Sequence, residues 1–264
     1  MNTPAVASTF PYVLKSQAEG VVTLTLNRGD KFNPLSEEMM SALQVELDAL
    51  AQDDSARVVI IAAAGKAFCA GHDLKQMRAA PSTEYYQKLF HQCSRLMLAI
   101  QRLPQPVIAR VQGLATAAGC QLVAMCDLAV ASTDAKFAVS GVNYGLFCAT
   151  PSVALSRNVA RKEAMEMLLT GEFIDAATAQ ERGLVNRVVA AEFLDGEIAK
   201  LTTSICAKPA IAVTMGKQLF YQQAEMGIGA AYQLAGQTMA CNMMDAAALE
   251  GVQAFVEKRA PDWR

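Results

Sequence analysis

The stretch Lys66-Ala67-Phe68-Cys69-Ala70-Gly71-His72-Asp73-Leu74-Lys75-Gln76-Met77 joins an apolar, β-branched run, Val58-Val59-Ile60-Ile61, to helix-forming residues. Its small central residues let backbone N–H groups approach a ligand closely. Further along, Gly113-Leu114-Ala115-Thr116-Ala117-Ala118-Gly119-Cys120-Gln121-Leu122 repeats the arrangement after a second strand-like run, Val107-Ile108-Ala109-Arg110-Val111. Two strand-to-helix turns with bare amides are what an oxyanion hole requires, namely donors fixed where negative charge develops on a carbonyl oxygen. The plainer reading of each turn by itself is a small-residue connection in an α/β protein.

Together the two turns resemble those of the crotonase superfamily of enoyl-CoA hydratases and isomerases, and within it the enoyl-CoA hydratase domain-containing proteins. Leu26-Asn27-Arg28 with Phe32-Asn33-Pro34-Leu35 resembles the family's first CoA-contacting loop. Glu166-Met167-Leu168-Leu169-Thr170-Gly171 and Gly183-Leu184-Val185 resemble a later helix-turn and strand. Glu250 to Arg259 resembles the C-terminal helix, so the similarity runs from about residue 10 to the end. The resemblance implies a spiral of ββα units whose C-terminal helices pack subunits into a homotrimer, or a hexamer made as a dimer of trimers. It implies that the peptide N–H groups of His72 and Ala118 bind a thioester carbonyl oxygen and stabilise the enolate beside it. The second donor would stand at a helix N-terminus, where free N–H groups and the helix dipole favour negative charge. No tightly bound cofactor is implied, because coenzyme A enters as part of the acyl-CoA substrate. Isomerase or lyase chemistry in fatty acid metabolism is the implied setting.

Hydratases of this superfamily activate water with two glutamates. At the matching positions this chain has Gln121 and Gly141, the latter in Phe137-Ala138-Val139-Ser140-Gly141. A general acid or base must exchange a proton near the working pH. A glutamine amide offers hydrogen bonds without a titratable proton in that range, and glycine has no side chain. Thioester binding is therefore expected and ordinary hydration is not, with a non-catalytic acyl-CoA-binding protein as the alternative. Installing both carboxylates, Gln121→Glu with Gly141→Glu, is expected to raise hydration where the pocket is otherwise intact.

Replacement proton carriers must come from neighbouring polar groups. The imidazole of His72 titrates near neutrality, although the expected hole needs only its peptide N–H, with the ring lining the pocket. Asp73 is read as the cap of the following helix. Asn143, Tyr144 and Cys148 follow the second lost glutamate and are read first as structural. On helix 83–102, Leu89, Phe90, Cys93, Met97 and Ile100 share one face, while Lys88, His91 and Arg95 share a polar stripe. His91 is read as solvated.

Coenzyme A carries several phosphate charges, so cations at the pocket mouth are useful. By resemblance, Lys75 and the backbone around Ala70 belong to the CoA-binding turn. Lys31 lies in the first loop, one position from the family's usual lysine, where Asp30 stands. Phe255 and Lys258 match positions that reach the CoA of a neighbouring subunit.

The formal net charge of -2 argues against general nucleic-acid binding. The 53% hydrophobic content of the 264 residues fits a sizeable core and a buried subunit interface. No apolar run is long enough to span a bilayer, and Met1-Asn2-Thr3-Pro4-Ala5 lacks the pattern of a secretory signal. The seven cysteines are scattered without a Cys-x-x-Cys pair, and there are only two histidines. Neither a metal site nor a disulfide framework is expected, and free thiols point to the cytoplasm.

Pattern along the chain predicts a half-buried strand over Val21–Leu26 and a helix from Ser36 with Met40, Leu43, Leu47 and Leu50 inward. Strand 58–63, helix 83–102, strand 107–111, a short helix from Gly119, strand 127–132 and strand Val185–Val189 follow. Helices are predicted near 193–207, 209–223, 229–242 and 245–258. The expected division is a core over 1–192 and a helical, subunit-contacting region over 193–264. From pattern alone the chain is α/β with an α-helical extension, and no internal repeat is visible in the sequence.

Overall fold

A computed structural model describes residues 10–79 and 81–263. The N-terminal segment judged above to carry no secretory signal lies outside the described residues. The first sheet has the order β1-β2-β3-β5-β7-β10, built from β1 (Val13–Ala18), β2 (Val21–Leu26), β3 (Val58–Ala63), β5 (Val107–Val111), β7 (Leu128–Ser132) and β10 (Arg187–Val189). A second, smaller sheet has the order β4-β6-β8-β9, from β4 (Ala67–Cys69), β6 (Leu114–Thr116), β8 (Lys136–Ala138) and β9 (Ile174–Asp175). Strands β3, β5 and β7 pair in parallel in the first sheet, and β4, β6 and β8 pair in parallel in the second. Each strand of the first set is followed a few residues later by one of the second and then by helix. The repeat absent from the sequence is present in space.

The main sheet reads as continuous apolar runs because both faces are covered. In β3, Val59 and Ile61 enter the large core with Leu24, Val107 and Met97. Its alternate residues Val58, Ile60 and Ala62 turn the other way, onto Leu194 and Ile198 of α8 (Leu194–Cys206). Helix α1 (Glu37–Leu50) begins where its cap dictates: the Ser36 hydroxyl accepts from the Met39 N–H at 3.2 Å, with Glu37 and Glu38 at the positive end. Its predicted inward residues Met40, Leu43, Leu47 and Leu50 are all buried. Helix α3 (Thr83–Arg102) is capped likewise by Ser82, and Leu89, Cys93, Met97 and Ile100 are buried while His91 is exposed.

Three helices close the chain: α9 (Ala210–Ala224), α10 (Ile228–Met243) and α11 (Ala246–Glu257). A buried ion pair fixes the first of them. Lys217 Nζ lies 2.7 Å from Asp127 Oδ2 and donates to the carbonyls of Ile100 and Gln105, both at 3.0 Å. Asp127 also accepts from Tyr221 Oη at 2.8 Å and from the Val107 N–H, the first residue of β5, at 2.6 Å. Burial pulls the lysine below its ordinary pKa while Asp127 pushes it back up. Breaking a buried pair from one side strands the other charge, at about 3–5 kcal/mol. Lys217→Met is therefore expected to lower unfolding free energy by that amount in urea titration, with α9 the region of largest gain in hydrogen exchange.

Candidate active site

The turn after β4 and the turn after β6 meet. Gly71 has φ +90°, and a Cβ built on it would stand 2.9 Å from Ala117 Cβ, 3.1 Å from the Thr116 carbonyl oxygen and 3.3 Å from the Ala118 nitrogen. Only glycine satisfies both the positive φ and the absence of space. From the other side, α4 (Ala118–Met125) rests on β4 through Gly119, whose missing Cβ would collide with the Cys69 carbonyl oxygen. These contacts set the His72 and Ala118 peptides side by side. Among the described residues, neither N–H is taken by a protein acceptor.

Ala117 aims the second donor. It adopts φ 51°, ψ -119°, costly for a residue with a Cβ, of order 1–3 kcal/mol. Its own N–H is held by the Ala138 carbonyl of β8 at 2.9 Å, and its carbonyl accepts the first bond of α4 from Gln121 N–H at 3.0 Å. No side chain caps α4, so its first amides keep the positive end of the helix open to a ligand. The first donor is stitched to the loop at 28–35. Ala70 N–H donates to the Phe32 carbonyl at 3.0 Å, and Leu35 N–H donates to the Gly71 carbonyl at 2.8 Å. Asn33, fully buried, accepts from Arg28 N–H at 2.8 Å and donates to the carbonyls of Ala64 and Ala67 at 2.8 and 2.9 Å. In the sequence Asn33 is one letter of a loop motif; that it clamps the loop, as the second of two consecutive residues with positive φ, is visible only in space.

The His72 ring is fixed as well. Its Nδ1 lies 3.1 Å from the Leu35 carbonyl, which can only accept, so Nδ1 carries the proton and Nε2 the lone pair. The ring meets Phe90 of α3 edge to face, with centroids 5.7 Å apart, and Phe90 stacks on Tyr86. Burial draws the imidazole pKa below its usual value, with the Leu35 bond acting weakly in the opposite sense. The neutral ring is thus the resting form at pH 7. Asp73 caps α2 (Leu74–Ala79) as expected, accepting from the N–H groups of Lys75 and Gln76.

At Gln121 and Gly141, the positions the resemblance matches to glutamates, the surroundings are closed. Gln121 is buried, its Oε1 4.0 Å from Cys93 Sγ. Gly141 is packed shut: a Cβ there would collide with the Leu146 carbonyl oxygen and stand 2.7 Å from Cys148 Sγ, which also receives the Gly141 N–H at 3.2 Å. The condition set on the double replacement, an otherwise intact pocket, bears differently on the two positions. Gln121→Glu fits the space of the glutamine, but Gly141→Glu cannot enter without rebuilding 140–148. Nor do the nearby thiols supply a base, since burial pushes Cys69, Cys93 and Cys120 up to about 12 and raises Cys148. They stay protonated and unreactive at neutral pH.

The expected CoA-side residues are dispersed. Lys31 lines a cavity of about 770 Å³ with Tyr12, Arg28, Asp30, Ala64 and Gly65, and Arg28 lies over the Tyr12 ring at 3.9 Å. Lys75 is exposed on α2, one turn beyond His72. Phe255 is 85% exposed near the end of α11, and Lys258 is exposed at its left-handed C-cap, φ 57°. Within one chain they are not drawn into the His72–Ala118 site. Among the described residues no group of three or more His, Cys, Asp or Glu side chains is placed to hold a metal ion, and no helix is long and apolar enough to cross a membrane.

The chain matches the enoyl-CoA hydratase/isomerase family over residues 16–264, and it belongs to that family. The enoyl-CoA hydratase domain-containing protein 3, mitochondrial, of Xenopus laevis is 44% identical over 253 residues, 96% of this chain and 86% of that one. The Homo sapiens protein of the same name is 43% identical over 247 residues, 94% and 82% of the two chains, and its crystal structure superposes with TM-score 0.92, covering 96% of this chain and 100% of that one. A crystal structure of enoyl-CoA hydratase from Mycobacterium smegmatis superposes with TM-score 0.95 at 65% identity, covering 96% and 99%. The fold is accordingly the crotonase-like spiral of ββα units with helices at its C-terminus.

The glycine contacts carry a direct prediction. Gly119→Ala must push α4 away from Cys69, and overpacking of this kind costs typically about 1–3 kcal/mol. A melting temperature lowered by several degrees is expected, together with loss of whatever ligand affinity depends on the Ala118 N–H.

Proposed function

We infer that this protein binds an acyl-CoA thioester with the carbonyl oxygen between the N–H groups of His72 and Ala118, and that these donors stabilise the enolate. The observation that carries this reading is the close approach of Gly71 to Ala117 and Ala118, which pairs two uncommitted amides in a closely packed setting. Donors of this kind, already aimed, contribute most where water is excluded. Coenzyme A comes with the substrate, and no tightly bound cofactor is required. Lys31 at the large cavity, Lys75 on α2 and the backbone at Ala70 are the CoA-side residues of this reading.

Gln121 and Gly141 direct the reaction away from glutamate-assisted hydration. Isomerisation, decarboxylation or thioester cleavage through the enolate needs the hole and not that carboxylate pair. A second reading, an acyl-CoA-binding protein without turnover, is favoured by the filled space at Gly141. The Mycobacterium smegmatis relative is named a hydratase, so hydration is the first activity to measure. Calorimetric titration with acetyl-, crotonyl- and longer acyl-CoAs is expected to show binding. Hydration of crotonyl-CoA is expected to run ~10²–10⁴-fold below a two-glutamate enzyme, and Gln121→Glu alone to raise it. Failure of every thioester to bind the folded protein refutes the reading, and product formation from any of them refutes the binding-only alternative.

The same reading extends to assembly and location. Ile228 and Tyr232 are 77% and 74% exposed on α10, beside an apolar groove that includes Leu219 and Phe220 of α9. Apolar surface of this extent in one region marks an interface. A homotrimer, or a dimer of trimers, would cover it and carry Phe255 and Lys258 to a neighbouring subunit's CoA. Light scattering is expected to give three or six times the 28.2 kDa chain mass. In mixed oligomers, Lys258→Ala subunits are expected to weaken CoA binding at adjacent wild-type sites, and a monomer with normal affinity excludes the shared site. The seven free thiols support a reducing compartment; cytoplasm is our reading, and the vertebrate relatives are named for the mitochondrion.

A further inference from the structure

His72 Nε2 is shut from solvent and has no hydrogen-bond partner. Among the described residues, six buried side-chain nitrogen or oxygen atoms share that condition, and this one alone belongs to the two oxyanion turns. Buried polar atoms in native proteins are almost always paired, so an orphan calls for an occupant. The Leu35 carbonyl settles the tautomer by accepting a hydrogen bond from Nδ1–H, which leaves Nε2 able to accept and unable to donate. Phe90 meets the ring edge to face and Tyr86 stacks on Phe90, so the aromatic cover from α3 adds no donor to the ring. The atom sits one side chain away from the peptide N–H that serves the thioester carbonyl.

Building on the acyl-CoA reading above, we propose that His72 Nε2 is a specificity acceptor for the acyl group, receiving an O–H or N–H donor carried a few atoms from the thioester carbonyl. Acyl groups bearing such a donor satisfy the orphan nitrogen. Purely hydrocarbon acyl groups leave it unpaired and forfeit the desolvation already incurred, about 1–3 kcal/mol, which corresponds to roughly 5–150-fold in affinity. Residue 72 then has two separate duties: its main chain serves the carbonyl and its ring reads the acyl substituent.

The test compares butyryl-CoA with 2-, 3- and 4-hydroxybutyryl-CoA by calorimetry, on wild type, His72→Phe and His72→Gln, each checked for native circular dichroism. The quantity read is the affinity ratio of each hydroxylated thioester to butyryl-CoA, which cancels any shared loss at the main-chain donor. Wild type is expected to favour at least one hydroxylated thioester by about tenfold or more. His72→Phe, which keeps an aromatic ring and removes the acceptor, is expected to bring that ratio to about one. His72→Gln, whose Oε1 can accept, is expected to recover part of it. Ratios near one in wild type for all three isomers overturn the proposal, as does a preference that survives in His72→Phe. Should the phenylalanine variant misfold, the wild-type ratio and the glutamine variant still decide. If wild type binds butyryl-CoA but shows no ratio, only this inference falls. If it binds none of the four, the acyl-CoA reading falls first and this one with it.

Discussion

Two main chains touching without a side chain between them is the constraint on which this site depends. At Gly119 the Cys69 carbonyl occupies the place of a Cβ, and at Gly71 the Ala117 methyl and Ala118 nitrogen do so. A peptide N–H is a directional donor on a stiff backbone, so its aim is only as good as the packing behind it. Here the packing comes from the parallel pairing of β4 with β6 and β6 with β8, which brings successive units into register. Ala117 is held in a costly conformation because its neighbours on both strands leave it no other. The strain is small against the burial that fixes it, and its result is an amide that points outward from the start of α4.

The two positions that the resemblance matches to glutamates, Gln121 and Gly141, differ in how their surroundings are filled. At Gly141 the Leu146 carbonyl and the Cys148 sulfur stand where a side chain would run. At Gln121 the side chain is retained in shape and buried beside Cys93. One position holds an amide of a glutamate's shape without its titratable proton, while the other has no side chain at all. The thiols nearby are raised by burial, so the polarity of the region rests on backbone amides, one glutamine and one neutral histidine.

Much of this was legible in the sequence because the signals are local. The β3 run, the Ser36 cap with the Leu43, Leu47 and Leu50 face, the Asp73 cap and the four terminal helices each depend on residues within a few turns of one another. The second sheet was not legible: β4, β6 and β8 have three residues each, too few for any alternation to register. Nor did sequence expose Asn33, whose work is to join segments more than thirty residues away. The tautomer of His72 depends on a carbonyl at Leu35, and the obstruction at Gly141 depends on a loop that folds back on itself. Such facts belong to the fold, whereas the turns that suggested an oxyanion hole are written in consecutive residues.

The ion pair under α9 makes the helical end of the chain answer to the state of the sheet. A lysine cannot shed its water profitably until its counter-charge is in place, because desolvation costs several kcal/mol per ion. Lys217 meets Asp127 only where β5 and β7 already lie together, since the same carboxylate holds the first N–H of β5. The seat of α9 is therefore only as good as the pairing of the strands beneath it. The lysine therefore couples the docking of α9 to the pairing of β5 with β7: whatever parts those two strands also leaves a charge stranded beneath the helix.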